Sequence, residues 1–351
     1  PVGLLGADTV INRNPINPAA WLARRVLLSS TVTGLAAFLL VWQLYDFTPA
    51  LAAMVLVICV AATTNLLGAA FFRSRERFFV SLALTQGHNA VLAIAGLAVL
   101  FVTPIGVALP LAIIFLAYLA TALAGWFGAL GLPRLDDALP PDRFPWREGR
   151  TILVTSLAII MLVQMERLLL PILLDNRALA TFAVLAAVAG SPFRVLQMGV
   201  GYTLVPQLRN ATTANRMSQV LRSEFRTASW LTVAAIVVVW LLAHPVVDWV
   251  TDGKYLLTRF MIAASLFAGV AKIAAAFGRS CVIALGDQGD LDRLRNSTWI
   301  AVAVALAGAV AGAEYGLVGV LFGVAGGWVA YAVRALLLAR PLVRSCIAGA
   351  A

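Results

Sequence analysis

Apolar runs long enough to cross a lipid bilayer follow one another along almost the whole chain. A membrane-spanning helix needs about 20 mostly apolar residues, and the runs have this length or come close to it. We predict spans at 26–45, 49–72, 78–102, 105–130, 151–174, 178–206, 227–247, 256–285, 298–313 and 316–339. The pattern therefore predicts an all-α membrane protein with about ten transmembrane helices.

Two connections between the predicted spans are longer than the others. The stretch 131–150 is rich in Pro and charge and has no span-like run, so it separates the spans into two lobes. We predict the remainder of an N-terminal helical lobe at 1–134, a cytoplasmic inter-lobe linker at 135–150 and a C-terminal six-helix lobe at 151–351. The second long connection, 207–226, carries basic residues at near-helical spacing, which fits either a helix on the membrane surface or a solvated loop.

The composition and the placement of charge agree with a membrane location. Hydrophobic residues make up 62% of the chain and charged residues 12%, whereas soluble domains are close to half apolar and a quarter charged. The net charge is +10. Eighteen basic residues fall in one set of alternate loops and three in the other, and such basic loops face the cytoplasm. We therefore expect a multi-pass protein of the bacterial cytoplasmic (inner) membrane with a cytoplasmic C-terminus, and no nucleic-acid partner.

Residues that carry out covalent chemistry are sparse. The two histidines, His88 and His244, lie in different parts of the chain. No phosphate-binding loop, zinc-protease motif or serine nucleophile motif is present, and the predicted outer loops are only a few residues long. We expect no catalytic residues, no metal, no cofactor and no enzyme activity. A membrane glycosyltransferase or polymerase acting on lipid carriers is the enzyme alternative, and it usually needs a larger outer loop.

Charged residues inside the predicted spans carry most of the functional argument, because a charge in mid-membrane costs about 2.5–3.5 kcal/mol on insertion scales. Arg194 and Lys272 lie near the middle of their spans and are the first candidates to bind an anion. The second candidates are Arg167 and Arg279. Glu166 is the single acid within the spans, so the surplus charge is positive. This surplus indicates a water-filled cavity that receives an anion; structural pairing with modest local hydration is the alternative.

Uncharged polar side chains inside the spans are candidates to line the same cavity. They are Asn65, Gln86, His88, Asn89, Gln164 and Gln197. Hydrogen bonds between helices would explain the amides equally well, at about 0.6 kcal/mol each on average. Because histidine titrates near neutral pH, His88 could also take up a proton.

Glycines recur every four residues in the last two predicted spans. One series is Gly308, Gly312 and Gly316, and the other is Gly319, Gly323 and Gly327. Small residues at this spacing let helices approach closely. We therefore predict direct packing of the last two spans.

Several stretches resemble one family of membrane transporters. The runs 165–174, 180–186, 199–208 and 315–323 resemble the helices of the second lobe in polysaccharide flippases, and 3–13 resembles the end of that family's second helix. These flippases, of the O-antigen flippase type, belong to the multidrug/oligosaccharidyl-lipid/polysaccharide exporter superfamily. The resemblance implies a two-lobe fold of six plus six helices. Compared with that fold, this chain lacks the first helix and most of the second, as in an N-terminally truncated member.

The resemblance also implies a function. A flippase of this kind moves a lipid-linked saccharide from the inner to the outer leaflet by alternating access, for cell-surface polysaccharide biosynthesis. The implied partners are the lipid bilayer, a polyprenyl-(pyro)phosphate-linked saccharide and other membrane proteins of polysaccharide assembly. Two alternatives stay open: a cation-coupled multidrug exporter of the same fold, and a non-transporting membrane scaffold in polysaccharide assembly.

Overall fold

The computed structural model describes residues 2–14, 16–44, 47–99, 108–140, 143–211 and 213–348. These residues form helices and connecting loops without any strand. The contacts of the chain divide it into two compact units, residues 1–153 and 154–351, and the division falls inside one long helix. The assignment of these parts to two transporter lobes joined by a linker stays a prediction.

The first unit contains five complete helices and the beginning of a sixth. Their bounds are α1 Ala7–Arg13, α2 Ala20–Leu44, α3 Pro49–Ser74, α4 Phe78–Val99, α5 Ala108–Leu130 and α6 Trp146–Leu173. Helix α3 packs against both α2 and α5. The approach of α3 to α5 is close because glycines face each other: a Cβ on Gly68 would lie 2.7 Å from the carbonyl carbon of Gly125.

The second unit contains the rest of α6 and six further helices. Their bounds are α7 Asn176–Leu185, α8 Ser191–Asn210, α9 Ala214–Thr251, α10 Arg259–Leu285, α11 Gln288–Gly312 and α12 Gly316–Ala348. A five-residue π-helix, Ala186–Gly190, joins α7 to α8, and Pro192 follows at the first turn of α8. Because proline lacks a backbone N–H, the wider π turn fits the interruption in hydrogen bonding at this point.

The predicted packing of the last two spans is confirmed. Glycines of α11 and α12 pair at two levels, Gly308 with Gly323 and Gly312 with Gly319, and a Cβ on Gly308 would lie 2.7 Å from the Gly323 carbonyl oxygen. Gly316 has a different role, since its φ of +66° and its open surroundings place it in the turn between the helices.

The ten predicted spans correspond to helices, but several edges differ. Among the described residues, eight stretches are long and apolar enough to cross a membrane, and the last of them takes in both α11 and α12. The edges predicted between 100 and 107 lie outside the described residues.

The linker predicted at 135–150 and the connection 207–226, for which a surface helix and a solvated loop were both open, are partly helical in the structure. Helix α6 begins at Trp146, so the end of the predicted linker is helical, and α9 begins at Ala214, so most of 207–226 is the start of one continuous 38-residue helix. Such a helix is about 57 Å long, whereas the hydrocarbon core is about 30 Å thick. The hydropathy pattern missed these extensions because they carry charged residues and extend beyond the apolar run.

Side-chain caps fix the start of several helices. Asp287 precedes α11 and accepts a hydrogen bond from the Asp290 backbone N–H at 2.8 Å, while the Asp290 side chain accepts from the Asp287 N–H at 3.2 Å. This reciprocal capping satisfies two N–H groups that the helix itself leaves without partners. The hydrogen bond from the Asp290 N–H also lowers the pKa of the Asp287 carboxyl.

In the first unit, Asn17 holds the loop that follows α5. Its side-chain amide donates to the Leu135 carbonyl at 3.0 Å, and its side-chain oxygen accepts from the Leu135 N–H at 2.9 Å. The Arg75 guanidinium donates to the same Asn17 oxygen at 3.1 Å. These contacts satisfy the backbone of a loop that has no regular structure of its own.

Candidate functional site

A cluster of charged side chains forms in the second unit around Glu166 of α6. The Glu166 side chain is 5% exposed. Among charged side chains, Lys272 of α10 interacts with it most strongly, followed by Arg167 and Arg194. Within the described ranges, neither Glu166 nor Lys272 has a salt bridge of 4.0 Å or less. The charges are therefore near neighbours without being a closed ion pair.

Packing between α8 and α10 brings two of these cations near each other. A side chain on Gly269 would collide with the ring of Phe193, so the absence of a Cβ lets the two helices meet here. Arg194 directly follows Phe193, and Lys272 lies three residues beyond Gly269, less than one helical turn. The two cations also interact electrostatically with each other. Helix packing, rather than proximity in sequence, creates this concentration of positive charge.

Lys272 also rests on an aromatic ring. Its Nζ lies 5.2 Å from the ring centroid of Trp328 on α12, a distance at which a cation is attracted to the face of an indole. Trp328 is completely buried, and its Nε1 is a donor without a hydrogen-bond partner among the described residues. The centre thus presents an ammonium group and an unused N–H donor.

The remaining candidates of the second unit lie around this centre with different exposures. Arg167 and Arg194 are exposed on the surface of the chain, whereas Gln164, Gln197 and Arg279 are partly buried. Arg279 lies about two helical turns after Lys272 on α10. Its charge acts on Tyr331 of α12. No hydrogen bond in the described part of the chain connects Gln164 or Gln197 to the charged side chains. The structure therefore brings together Glu166, Arg167, Arg194 and Lys272, while their role in binding an anion stays a prediction.

A second polar cluster lies in the first unit, between α4 and α5. The Tyr118 hydroxyl and His88 Nε2 are 2.9 Å apart, and the two rings stack with centroids at 4.3 Å. One turn earlier on α4, the Leu84 carbonyl accepts a hydrogen bond of 2.9 Å from Asn65, which is buried. Asn65 and His88 therefore lie along one seam of the first unit.

Gln86 and Asn89 do not belong to this seam. The Asn89 side-chain amide donates to the Gln86 side-chain oxygen at 2.7 Å, and Asn89 is exposed. Gln86 lies about 200° around the helix axis from Leu84, on another side of α4. The polar residues of the third predicted span thus form two separate pairs of contacts.

Sequence reasoning missed three aromatic residues that complete these clusters. Tyr118 lies 30 positions after His88, and Trp328 and Tyr331 lie in the glycine-rich last span. The signal for all three was the same: each is an aromatic side chain with a polar edge inside an apolar run, and such edges usually find a partner when buried. The identity of that partner was not readable from the sequence.

The two clusters differ in what they can bind. Among the described residues, no group of three or more His, Cys, Asp or Glu side chains is placed to hold a metal ion. The second unit offers cations and a free N–H donor, which suit an anionic or acceptor-rich group. The first unit offers neutral groups, most of which already contact each other.

These features define a multi-pass helical membrane protein whose fold is that of known exporters. A solved structure described as the inward-facing conformation of a multidrug resistance MATE family transporter of the MOP superfamily matches with a TM-score of 0.58. The match covers 100% of this chain and 89% of that chain at 14% sequence identity. At this identity the likeness concerns the fold. No protein-family model matches the chain, and no curated protein matches it.

Proposed function

We propose that this protein moves a lipid-linked saccharide across the bacterial cytoplasmic membrane by alternating access, as a step of cell-surface polysaccharide biosynthesis. The observation that carries the proposal is the surplus of positive charge that acts on Glu166, from Lys272, Arg194 and Arg167. The fold supports the proposal, because a solved structure that matches it is described as a transporter. The reaction changes the leaflet of the substrate and breaks no bond.

The charge balance favours an anionic group in the substrate. One carboxylate cannot neutralise three cations, and an unneutralised charge in a medium of low dielectric is costly. A phosphate or pyrophosphate that joins a saccharide to its lipid carrier would supply the missing negative charge. Lys272 would contact it as a point charge, and Arg194 would donate in the forked geometry that suits phosphate.

The proposed setting follows from the charge pattern. Because basic loops usually face the cytoplasm, a cytoplasmic C-terminus is part of the proposal. The lipid bilayer and a polyprenyl-(pyro)phosphate-linked saccharide are the proposed partners, together with other membrane proteins that assemble polysaccharides. In this arrangement the substrate is loaded from the inner leaflet.

A cation-coupled multidrug exporter is the second candidate, and Glu166 is the observation that favours it. A buried carboxylate in a membrane helix is suited to carry a proton or a sodium ion, and the matched solved structure is described as a multidrug resistance transporter. A non-transporting scaffold with the same fold is a third candidate.

Transport assays on the purified protein test the proposal. The protein is reconstituted into liposomes that contain a fluorescent polyprenyl-pyrophosphate saccharide, and arrival of the label in the opposite leaflet is followed. We expect Lys272→Ala and Arg194→Ala each to reduce the rate at least tenfold in protein that inserts normally. Arg194→Ala should keep thermal stability near wild type, whereas Lys272→Ala should lose about 1–3 kcal/mol, because the buried Glu166 then lacks its strongest cationic neighbour. Arg334→Ala, which removes an exposed arginine of α12, is the matched control and should retain transport.

Three outcomes separate the candidates. Loss of flux in both variants with a normal control supports the flippase. Absence of flux in wild type, combined with drug efflux that requires a pH or sodium gradient and fails in Glu166→Gln, replaces the flippase with the exporter. Absence of both activities favours the scaffold. Normal flux in Lys272→Ala and Arg194→Ala would return both residues to a structural role.

A further inference from the structure

A groove on the surface of the first unit is lined by none of the residues of the two polar clusters. It has a volume of about 340 Å³ and runs along α2 from Ala20 to Thr31, with Trp126 of α5 as its other wall. Most of its lining is apolar, and Leu27 and Leu28 are 42% and 62% exposed. Its single charged residue is Arg24, which lies near the start of α2.

The two neighbouring arginines of α2 have different surroundings. The Arg25 guanidinium lies over the Trp146 ring at 5.0 Å, which gives this cation an aromatic partner. Arg24 lines the groove instead. In the part of the chain that the structure describes, Arg24 has no carboxylate within salt-bridge distance. Arg25 therefore has an aromatic partner within the protein, whereas Arg24 is available to a ligand in the groove.

Trp126 packs against a buried aromatic residue of α3. Its ring makes an edge contact with the buried Phe71 ring, with centroids 6.4 Å apart. The indole is thus a fixed wall, and a tryptophan near a helix end is typical of the level of the lipid headgroups. Arg24 and Trp126 lie near opposite ends of their own helices, as antiparallel neighbours at the same membrane depth would.

The length of the groove matches one leaflet. From Ala20 to Thr31 the helix rises about 16 Å, and half of the hydrocarbon core is about 15 Å. The groove therefore has a cation toward the headgroup level and an apolar wall that extends toward the middle of the bilayer. This pattern of charge and apolar surface is complementary to a phospholipid with an anionic headgroup and one acyl chain lying along the protein.

We propose that this groove binds an anionic phospholipid from the surrounding leaflet, with its phosphate on Arg24 and an acyl chain along Leu27, Leu28 and Trp126. Arg24 supplies a charge-assisted hydrogen bond, which is stronger than a neutral one. The apolar wall supplies contacts that any acyl chain makes, so Arg24 sets the preference for the headgroup. The site does not depend on the transported substrate.

Native mass spectrometry of the purified protein in detergent tests the site. Phosphatidylglycerol and phosphatidylcholine with the same acyl chains are titrated separately, and the fraction of protein carrying one lipid is measured. We expect phosphatidylglycerol to bind wild type several-fold more tightly, because both lipids offer a phosphate to Arg24 but phosphatidylcholine adds a positively charged choline that the guanidinium repels. Arg24→Gln should remove this preference while weak binding of both lipids persists.

Two further variants make the result specific to the groove. Arg222→Gln removes one exposed arginine elsewhere, on α9, and should keep the wild-type preference. Ala23→Phe places a ring in the groove and should weaken binding of both lipids. Equal binding of the two lipids to wild type, or a preference retained in Arg24→Gln, would overturn the proposal, as would the same loss in Arg222→Gln.

Discussion

His88 and Tyr118 in the first unit contact each other directly at 2.9 Å, whereas Glu166 and Lys272 in the second unit influence each other without a salt bridge. The first pair has no charged neighbour among the contacts described above, although the buried His88 Nδ1 has no hydrogen-bond partner in the described part of the chain. The second is charged, surrounded by further cations, and has an unused donor beside it in Trp328. The sequence analysis selected residues of both clusters for the same reason, because they are polar and lie inside apolar spans.

The comparison teaches that polarity in a span has two physical meanings. A neutral pair can satisfy itself within the helix bundle, and it then stabilises packing by a modest amount. Like charges cannot neutralise one another, so they still require an opposite charge from elsewhere. The second unit is therefore the better place to look for a substrate, and the first unit for structural polarity.

Disrupting the close packing of α11 on α12, which holds Trp328 beside Lys272, should have the largest effect on stability. In Gly323→Leu the new side chain would collide with the backbone of α11 at Gly308, so α12 must move and carry Trp328 away from Lys272. We expect a loss of about 1–3 kcal/mol or more in stability. Thermal unfolding of the purified protein in detergent measures this loss.

Gly326→Leu is the matched control for that change. It adds the same side chain to the same helix, but a Cβ on Gly326 has no neighbouring atom within 4 Å. We expect its melting temperature to stay near wild type. Equal destabilisation by both substitutions would show that helix propensity or lipid contact, rather than the α11–α12 approach, controls stability.

Removing one member of the charged centre should have an intermediate effect. Lys272→Met leaves the buried Glu166 without its strongest cationic neighbour, so we expect stability to fall by about 1–3 kcal/mol. Glu166→Gln in the same chain should restore part of the loss, because no buried charge then lacks a counter-charge. A double-mutant cycle measured by thermal unfolding gives the coupling energy; a value near zero would mean that the two residues act independently.

Breaking the neutral pair should have the smallest effect. Tyr118→Phe removes the hydroxyl that contacts His88 and keeps the ring that stacks on it, so we expect a loss of about 0.6 kcal/mol, the average for such contacts between membrane helices. Transport should stay within about twofold of wild type if the cluster is structural. A transport loss as large as that of Lys272→Ala would erase the distinction between the two clusters.

The positions of the helices were largely predictable from the sequence. A run of about 20 apolar residues has few stable forms other than a membrane helix, and each predicted span corresponds to a helix. The starts of α6 and α9 were placed too late because their first turns carry charge, as at Arg147 and Arg216. A helix can continue beyond the membrane into water as long as its backbone N–H and C=O groups have partners. The hydropathy of the sequence therefore does not mark where such a helix begins or ends.

The candidate site was predictable only as a set of residues. Charge and depth selected Arg194, Lys272 and Glu166, because a charge inside a span is rare enough to stand out. Trp328 and Tyr118 were missed, since an aromatic residue in an apolar run looks like ordinary packing. Gln86 and Asn89 were grouped with His88 by proximity in sequence, although α4 turns them to another side.

The sequence by itself determined that this protein lies in a membrane, where its long apolar helices run and that glycines join α11 to α12. These properties depend on local composition and on spacing along one helix, which a single chain states directly. Only the tertiary structure decided which polar groups meet, because the rotation of each helix about its axis depends on packing against the others. That rotation placed Lys272 on Trp328 and His88 on Tyr118, and left Arg24 facing an open groove.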